Sequence, residues 1–134
     1  MGLFDFMKVC LFSEVNGVVT LEGKPVAGAE IVRSAEINDK PYTDKTVTDE
    51  NGRFHFDAMY THSVNKILPM EPVIPQKILI KPQGHEYLAW EMTKHDYGIN
   101  DEIKMPIRLA CELLNKESGK EYGPTVVWGI CSIT

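Results

Sequence analysis

Apolar and polar residues alternate along much of the chain with the period of two that is typical of β-strands. The clearest case follows residues 49–52, Asp-Glu-Asn-Gly, where Phe54 and Phe56 alternate with polar residues. That tetrapeptide has the composition of a type I turn that closes with glycine in the left-handed conformation. The pattern therefore predicts a hairpin in which both phenylalanine rings lie in the core and Gly52 has a positive φ.

Runs rich in β-branched and aromatic residues predict the other strands. They are KVCLF at 8–12, VNGVVTL at 15–21, VAGAEIVR at 26–33, a hairpin across Pro82-Gln83-Gly84, IKMPIRLACELL at 103–114 and TVVWGICSI at 125–133. In the hairpin across Pro82, we expect Leu88, Trp90 and Met92 to share one buried face.

Polar or proline-containing segments separate these strands and are interpreted as connections. They are 34–44, expected as a loop or frayed edge, 57–75, 93–102 and the charged turn 115–124. A helical turn capped by Ser63 is predicted at SVNKIL, residues 63–68. About eight short strands with at most one short helix indicate an all-β fold, a single antiparallel β-sandwich. A chain of 134 residues has the length of one domain, residues 1–134.

Charge and hydropathy exclude two classes of partner. The net charge is −5 and the 14 Lys and Arg are scattered, which disfavours binding to a phosphate backbone. No apolar run approaches the roughly 18 residues that span a membrane. Because Asp5, Lys8 and Glu14 interrupt the apolar N-terminal segment, it does not have the pattern of a secretory signal. We therefore expect no nucleic acid, no membrane span and a cytoplasmic location.

Three cysteines, Cys10, Cys111 and Cys131, lie far apart within predicted strands. Secreted disulfide scaffolds normally have an even and denser set of cysteines. The default expectation is three reduced and mostly buried thiols. One pairing stays open, because the first and last strands of a sandwich can be neighbours.

Two turn motifs resemble those of the transthyretin-like (prealbumin-like) domains, which are related to the regulatory domain of metallocarboxypeptidases. In that family a G-x-P-L-x-G-A-x-V turn opens the second strand and a T-D-x-x-G-x-F turn opens the fourth. The matching residues here are Gly23, Pro25, Val26, Gly28, Ala29, Ile31, Thr48, Asp49, Gly52 and Phe54. The resemblance implies a transthyretin-like sandwich. With KVCLFSEVNG in front, the chain also resembles a bacterial family of unknown function linked to type VI secretion loci.

The sequence offers no constellation for chemistry. Transthyretin-like 5-hydroxyisourate hydrolases end in Tyr-Arg-Gly-Ser, whereas this chain ends WGICSIT. The histidines lack metal-ligand spacing, the cysteines lack a local cation, and the acidic turn near residue 49 lacks the spacing of a calcium loop. We therefore predict no catalytic residue, no cofactor and no metal, and a protein that is not an enzyme.

A surface for another protein remains as the candidate site. Met and aromatic residues in a long connection are typical of interaction surfaces, although covering one end of the sandwich would also explain them. The predicted partner-binding residues are Met59, Tyr60, Leu68, Met70 and Val73.

The predicted function is a non-enzymatic protein-binding module of a bacterial protein. The secretion resemblance implies an immunity or adaptor protein whose partner is a secreted toxin or a secretion component. A small hydrolase with an unrecognised site and a homo-oligomeric structural protein are the alternatives.

Overall fold

A computed structural model describes residues 7–63, 66 and 68–134. This part of the chain is built from β-strands joined by turns and loops, and no α-helix occurs in it. The strands are β1 (Lys8–Phe12), β2 (Val15–Leu21), β3 (Lys24–Pro25), β4 (Glu30–Ile37), β5 (Lys40–Val47), β6 (Arg53–Phe56), β7 (Met59–His62), β8 (Ile74–Lys81), β9 (Tyr87–Lys94), β10 (Ile107–Glu112), β11 (Ser118–Tyr122), β12 (Thr125–Gly129) and β13 (Ser132–Ile133).

Two sheets pack against each other and form a sandwich-like arrangement. The large sheet has the order β11-β12-β9-β8-β4-β5, and the small sheet has the order β13-β10-β2-β3, with β6 also paired to β2. Strands β1 and β7 form a separate, two-stranded antiparallel sheet. The expectation of a purely antiparallel sandwich is wrong in one place, because β2 and β10 are parallel.

The core confirms the predicted alternation but not the predicted hairpin. Strand β5 pairs with β4 and β6 pairs with β2, so the turn at 49–52 joins two different sheets. Phe54 and Phe56 are each 4% exposed, Trp90 is fully buried, and Gly52 has φ = 74°. Phe54 also explains a small residue in β2, because a Cβ on Gly17 would lie 2.3 Å from the Phe54 ring. The ring therefore fills the space that this glycine leaves open.

The segment at 34–44 is a long hairpin rather than a loop. Strands β4 and β5 pair over their full lengths and turn at Asn38 and Asp39, whose φ angles are 53° and 61°. Two successive residues with positive φ form the type I′ turn that suits a two-residue hairpin. The expected edge position is correct, since β5 closes the large sheet and contains Pro41.

Two other predicted connections also contain strands. The segment 57–75 includes β7, and the charged turn at 115–124 includes β11, which pairs with β12. The strand count is therefore higher than the predicted eight. The helical turn expected at 63–68 falls partly on residues 64, 65 and 67, outside the described residues.

A bulge corrects the expected face of β9. Trp90 pairs with Ile78 and Leu88 pairs with Leu79, so the register shifts by one residue between them. Trp90 and Met92 are buried together, whereas Leu88 is only half-buried. An inserted residue reverses the alternation of faces, which periodicity alone does not reveal.

The expectation of three reduced thiols is wrong for two of them. Cys111 on β10 is joined by a disulfide to Cys131, just before β13, whereas Cys10 is a free and buried thiol. The bridge connects two neighbouring strands of the small sheet, so the tertiary fold brings together cysteines 20 residues apart.

A carboxylate fixes the turn between β2 and β3. Glu112 accepts hydrogen bonds from the backbone N–H groups of Glu22, Gly23 and Leu114 at 3.0, 2.8 and 3.1 Å. The Thr20 hydroxyl donates to it at 3.1 Å. These bonds, that from Gly23 first, lower the pKa of Glu112 below its ordinary value.

Thiol titration should find one reactive group in denaturant and almost none in the native protein. Burial raises the pKa of the Cys10 thiol, which keeps it in the unreactive protonated form, and disulfide sulfurs do not titrate. Ellman's reagent with and without guanidinium measures this directly. Three thiols in denaturant, in a sample kept under air, would contradict the bridge.

Replacing Glu112 by Gln should reduce the amount of folding stability that the protein loses as the pH falls. A carboxyl group whose pKa is lower in the folded than in the unfolded protein stabilises the fold. This stabilisation is complete above the pKa of the unfolded state, about 4.3, and is lost as the pH falls through the pKa of the folded state. The difference in urea midpoint between wild type and Glu112→Gln should therefore be largest near neutral pH and shrink below about pH 4. A difference independent of pH would show that the carboxylate charge is not involved.

Candidate functional site

The densest group of ionisable side chains lies inside the sandwich. Lys94 Nζ is 3.4 Å from Glu102 Oε1, and neither side chain is exposed. Ser13 donates to the Glu102 carboxylate from its backbone N–H and from its hydroxyl, each at 2.8 Å. Lys94 also donates to the carbonyl oxygens of Cys10 and Gly98.

This buried cluster satisfies backbone groups of β1 that have no strand partner. The register between β1 and β7 skips Leu11, and the Leu11 carbonyl accepts instead from Gln76 Nε2 at 3.0 Å. Gln76 in turn accepts from Trp90 Nε1 at 3.0 Å. A buried backbone carbonyl without a partner is costly, so polar side chains on β8 and β9 take the place of a neighbouring strand.

Arg33 extends the cluster to the rim of the sandwich. Its side chain is 1% exposed and binds the Asp44 carboxylate through two nitrogens at 3.0 and 2.7 Å. A third nitrogen donates to the Ser13 carbonyl at 3.1 Å. The guanidinium lies 5.0 Å from the Phe12 ring centre and 4.6 Å from that of Phe56. Arg33 therefore joins β1, β4, β5 and β6 at one point.

The chemistry of the cluster is that of a scaffold. Ser13, Lys94 and Glu102 would be a plausible set for proton transfer, but each is at most 1% exposed and a substrate does not reach them. Every buried polar side-chain atom in the described residues has a hydrogen-bond partner. The cluster fixes the loop after β9, because Cys10 donates to the Tyr97 carbonyl and Asn100 donates to the Ser13 hydroxyl.

Outside the core, His55 has the most defined polar contacts of the histidines. It lies on the outer face of β6 as the alternation predicts, with its two ring nitrogens 2.7 Å from Asn16 Oδ1 and 2.8 Å from Asp57 Oδ1. The residues that the structure describes contain no cluster of three or more metal-binding side chains, and no helix among them is long and apolar enough to cross a membrane.

An open cleft lies at the end of the sandwich where β8 begins. It has a volume of about 310 Å³ and is formed by the β4–β5 turn, the segment before β8 and the loop after β9. The lining residues are Glu36, Ile37, Asn38, Asp39, Met70, Glu71, Pro72, Val73, Pro75 and Tyr97. The cleft thus assembles three connections that are far apart in sequence.

The cleft combines apolar side chains with carboxylates. Met70 is 55% exposed and Val73 is 57% exposed, whereas Ile37 is buried beneath them. Glu36 and Asp39 form no ion pair among the described residues. Glu71, the third acidic residue, lies 3.8 Å from His95 Nδ1.

Tyr97 forms one side of the cleft and is held by the buried cluster. Partial burial raises the pKa of its phenol, so the hydroxyl stays protonated and is a hydrogen-bond donor at neutral pH. Its backbone carbonyl accepts from the Cys10 N–H at 3.0 Å. The contacts between this loop and β1 therefore fix the position of Tyr97 at the wall of the cleft.

The predicted partner-binding residues occupy different environments. Met59 is half-buried and packs against the core. Tyr60 is 43% exposed, and Lys8 Nζ lies over its ring at 4.2 Å. Leu68 is 46% exposed but does not line the cleft, whereas Met70 and Val73 do.

Of the ten cleft residues that the structure describes, sequence reasoning named only Met70 and Val73, and it missed the β4–β5 turn and Tyr97 altogether. Glu36 and Asp39 were assigned to a loop or frayed edge, although Asn38-Asp39 between alternating residues is a signal for a two-residue turn. No sequence signal marks Tyr97, because its place depends on the burial of Lys94 and Glu102.

Replacing Lys94 by Met should destabilise the fold by about 3–5 kcal/mol, because Glu102 would remain buried without its cation. The control is Lys77→Met, which removes an exposed ion pair with Glu91 and should cost about 1 kcal/mol or less. Urea unfolding measures both. The double variant Lys94→Met with Glu102→Gln should cost less than the sum of the single changes, and equal costs for Lys94→Met and Lys77→Met would contradict the buried pair.

Comparison with known proteins places most of this framework in one family. The profile of DUF6795, a domain of unknown function, matches residues 15–116. No curated protein matches the chain. The matched region begins with β2 and ends after β10, so it includes the cleft but neither β1 nor β11–β13. Because the match covers more than half of the chain, the protein belongs to the family of the domain of unknown function DUF6795.

Proposed function

We propose that this protein is a non-enzymatic binding module whose partner is another protein and whose binding surface is the cleft between Asn38 and Val73. The observation that carries the proposal is the exposure of Met70 and Val73 in a cleft that also contains Glu36 and Asp39. One side of this cleft is a loop that the buried cluster holds in place. Loops on a rigid scaffold are common binding sites, and Met is frequent at interfaces.

The charge of the cleft favours a basic partner. Glu36, Asp39 and Glu71 are close to the two exposed apolar side chains, and no lysine or arginine is among the lining residues. The net charge of the whole chain, −5, is negative like that of the cleft. A partner loop with an apolar tip flanked by Lys or Arg would match both the shape and the charge.

The lining residues also bear on the hydrolase alternative. They supply carboxylates and a phenol, but no serine, cysteine, threonine, lysine or histidine. Among the described residues, the lining therefore lacks the hydroxyl or thiol nucleophile with a histidine base that many hydrolases use. Affinity rather than covalent chemistry is what this set of side chains supports best.

We propose that the protein is an immunity or adaptor protein. This role rests on the resemblance of the sequence to proteins of secretion loci and to transthyretin-like domains. The disulfide between Cys111 and Cys131 bears on the compartment, since such bridges persist in oxidising environments and are rare in the cytosol. It favours a partner that is met outside the reducing cytoplasm, in place of the cytoplasmic location expected from the sequence.

Introducing a positive charge at an apolar residue of the cleft tests whether the cleft is the binding surface. Met70→Lys and Val73→Lys should abolish capture of the partner from a lysate of the host, because each places a cation in an apolar contact beside the basic partner. Their melting temperatures should stay within a few degrees of wild type, since both side chains are more than half exposed.

The matched control is Leu114→Lys, which makes the same kind of change at a side chain that is 61% exposed, next to β10. A protein captured by wild type and by Leu114→Lys, but lost with Met70→Lys, supports the proposal. Capture that is unchanged with both cleft variants contradicts it. Retention of a second copy of this chain would indicate the homo-oligomeric alternative.

A further inference from the structure

A second groove continues the cleft along the outer face of the large sheet. It has a volume of about 620 Å³, and Glu36 and Pro75 line both the cleft and this groove. From there the groove passes Thr93 on β9 and reaches Val126 on β12. Strand β12 pairs with β9 only at Trp128 and Glu91, and no pairing joins Val126 to Thr93, where the groove opens.

An exposed tryptophan, Trp128, lies next to this groove, opposite the lining residue Glu91. Trp128 is 44% exposed and is on the same face of β12 as Val126. Its ring covers Gly119, where an added Cβ would lie 2.9 Å from the indole. The indole N–H donates to Glu117 Oε1 at 3.2 Å. The side chain is therefore held against the sheet, with the rest of its surface open to solvent.

Carboxylates surround this tryptophan. Glu91 pairs with Trp128 across the strands, Glu121 pairs with Val126, and Glu117 binds the indole. Lys77 is the one cation among the described lining residues of the groove, and it forms an ion pair with Glu91 at 3.3 Å. An aromatic ring with carboxylates on several sides is the environment that a cation over a ring prefers.

We infer that the groove binds an extended basic segment of the partner protein, with an arginine of that segment seated on Trp128. The inference rests on the proposed function and names the chemistry of the partner. Arginine fits better than lysine because its planar guanidinium stacks on an indole and also donates to carboxylates. We expect this cation to donate to Glu91, which lies opposite Trp128, and to Glu121, which lies opposite Val126.

The strand order sets the length of this segment. From β12 to β4 there are three steps between neighbouring strands, β12-β9-β8-β4, each about 4.8 Å. The groove therefore spans roughly 14 Å, which about four or five extended residues cover. A segment of this length would join the basic residue on Trp128 to the partner residues that fill the cleft at Met70.

A synthetic hexapeptide of alternating arginine and valine, with capped ends, is the probe. Titration into the ¹⁵N-labelled protein at 150 mM salt should shift the indole signal of Trp128 and leave that of Trp90, which is fully buried, in place. The same peptide with citrulline for arginine keeps the shape and removes the charge. It should bind about tenfold more weakly.

Substitutions at Trp128 and Glu91 locate the cation. Trp128→Leu should weaken binding of the arginine peptide by about tenfold. Trp128→Phe should weaken this binding by less, because an aromatic face remains. Glu91→Gln should weaken it more than Glu14→Gln, a change of equal charge at an exposed position outside the groove. Equal binding of the citrulline peptide, or unchanged binding by Trp128→Leu, would overturn the inference.

Capture of the natural partner separates this inference from the proposed function. Loss of capture with both Met70→Lys and Trp128→Leu supports the groove as a continuation of the cleft. Loss with Met70→Lys alone overturns the groove and leaves the cleft as the binding surface. Capture that is insensitive to Met70→Lys overturns the proposed cleft and the continuation that depends on it.

Discussion

The burial of β1 is the constraint on which the rest of the structure depends. Within the described residues, β7 is the one strand that pairs with β1, and the register between them skips Leu11. Its remaining backbone groups are buried and require partners, which β8, β9 and the loop after β9 supply as side chains. The placement of Gln76, Lys94 and Glu102 inside the sandwich follows from this requirement.

The same constraint connects the core to the surface. Lys94 and Glu102 hold the loop after β9 against β1, and Tyr97 on that loop forms a side of the cleft. Arg33 fixes the rim between β4, β5 and β6 in the same way, through its contacts with Asp44 and Ser13. Buried ion pairs contribute little net stability when whole, yet they specify one arrangement of the loops that they join. Of the three connections that form the cleft, these contacts hold the loop after β9 and the β4–β5 hairpin.

The outer face of the large sheet has a different physical origin. Each strand there alternates between the core and solvent, so one register decides which residues form the face. That register places Trp128, Glu91, Lys77 and Ser34 in one row across four strands. The result is a groove that begins at the cleft and follows this face as far as Val126, with the exposed Trp128 beside it. The family profile ends at residue 116, so the tryptophan lies beyond the part of the chain that the profile describes.

The sequence by itself determined the local features that depend on neighbours along the chain. The alternation around Phe54 and Phe56, the glycine turn before them and the hairpin at Pro82 are short-range patterns, and each is present in the structure. Patterns of the same kind at Asn38-Asp39 were obscured by polar residues and a proline, because an edge strand exposes one side and needs fewer apolar positions.

Only the tertiary structure decided the features that join distant residues. The parallel pairing of β2 with β10, the bridge from Cys111 to Cys131 and the burial of Lys94 beside Glu102 each depend on how the sheets pack. The bulge at β9 likewise moved Leu88 off the face of Trp90. A charged residue in a strand is expected to face solvent unless its partner is known. Here the partner of Lys94 is the backbone carbonyl of Cys10, more than 80 residues away in the sequence. Long-range pairing of this kind leaves no periodic trace in the sequence, so the cleft and the groove could be located only from the fold.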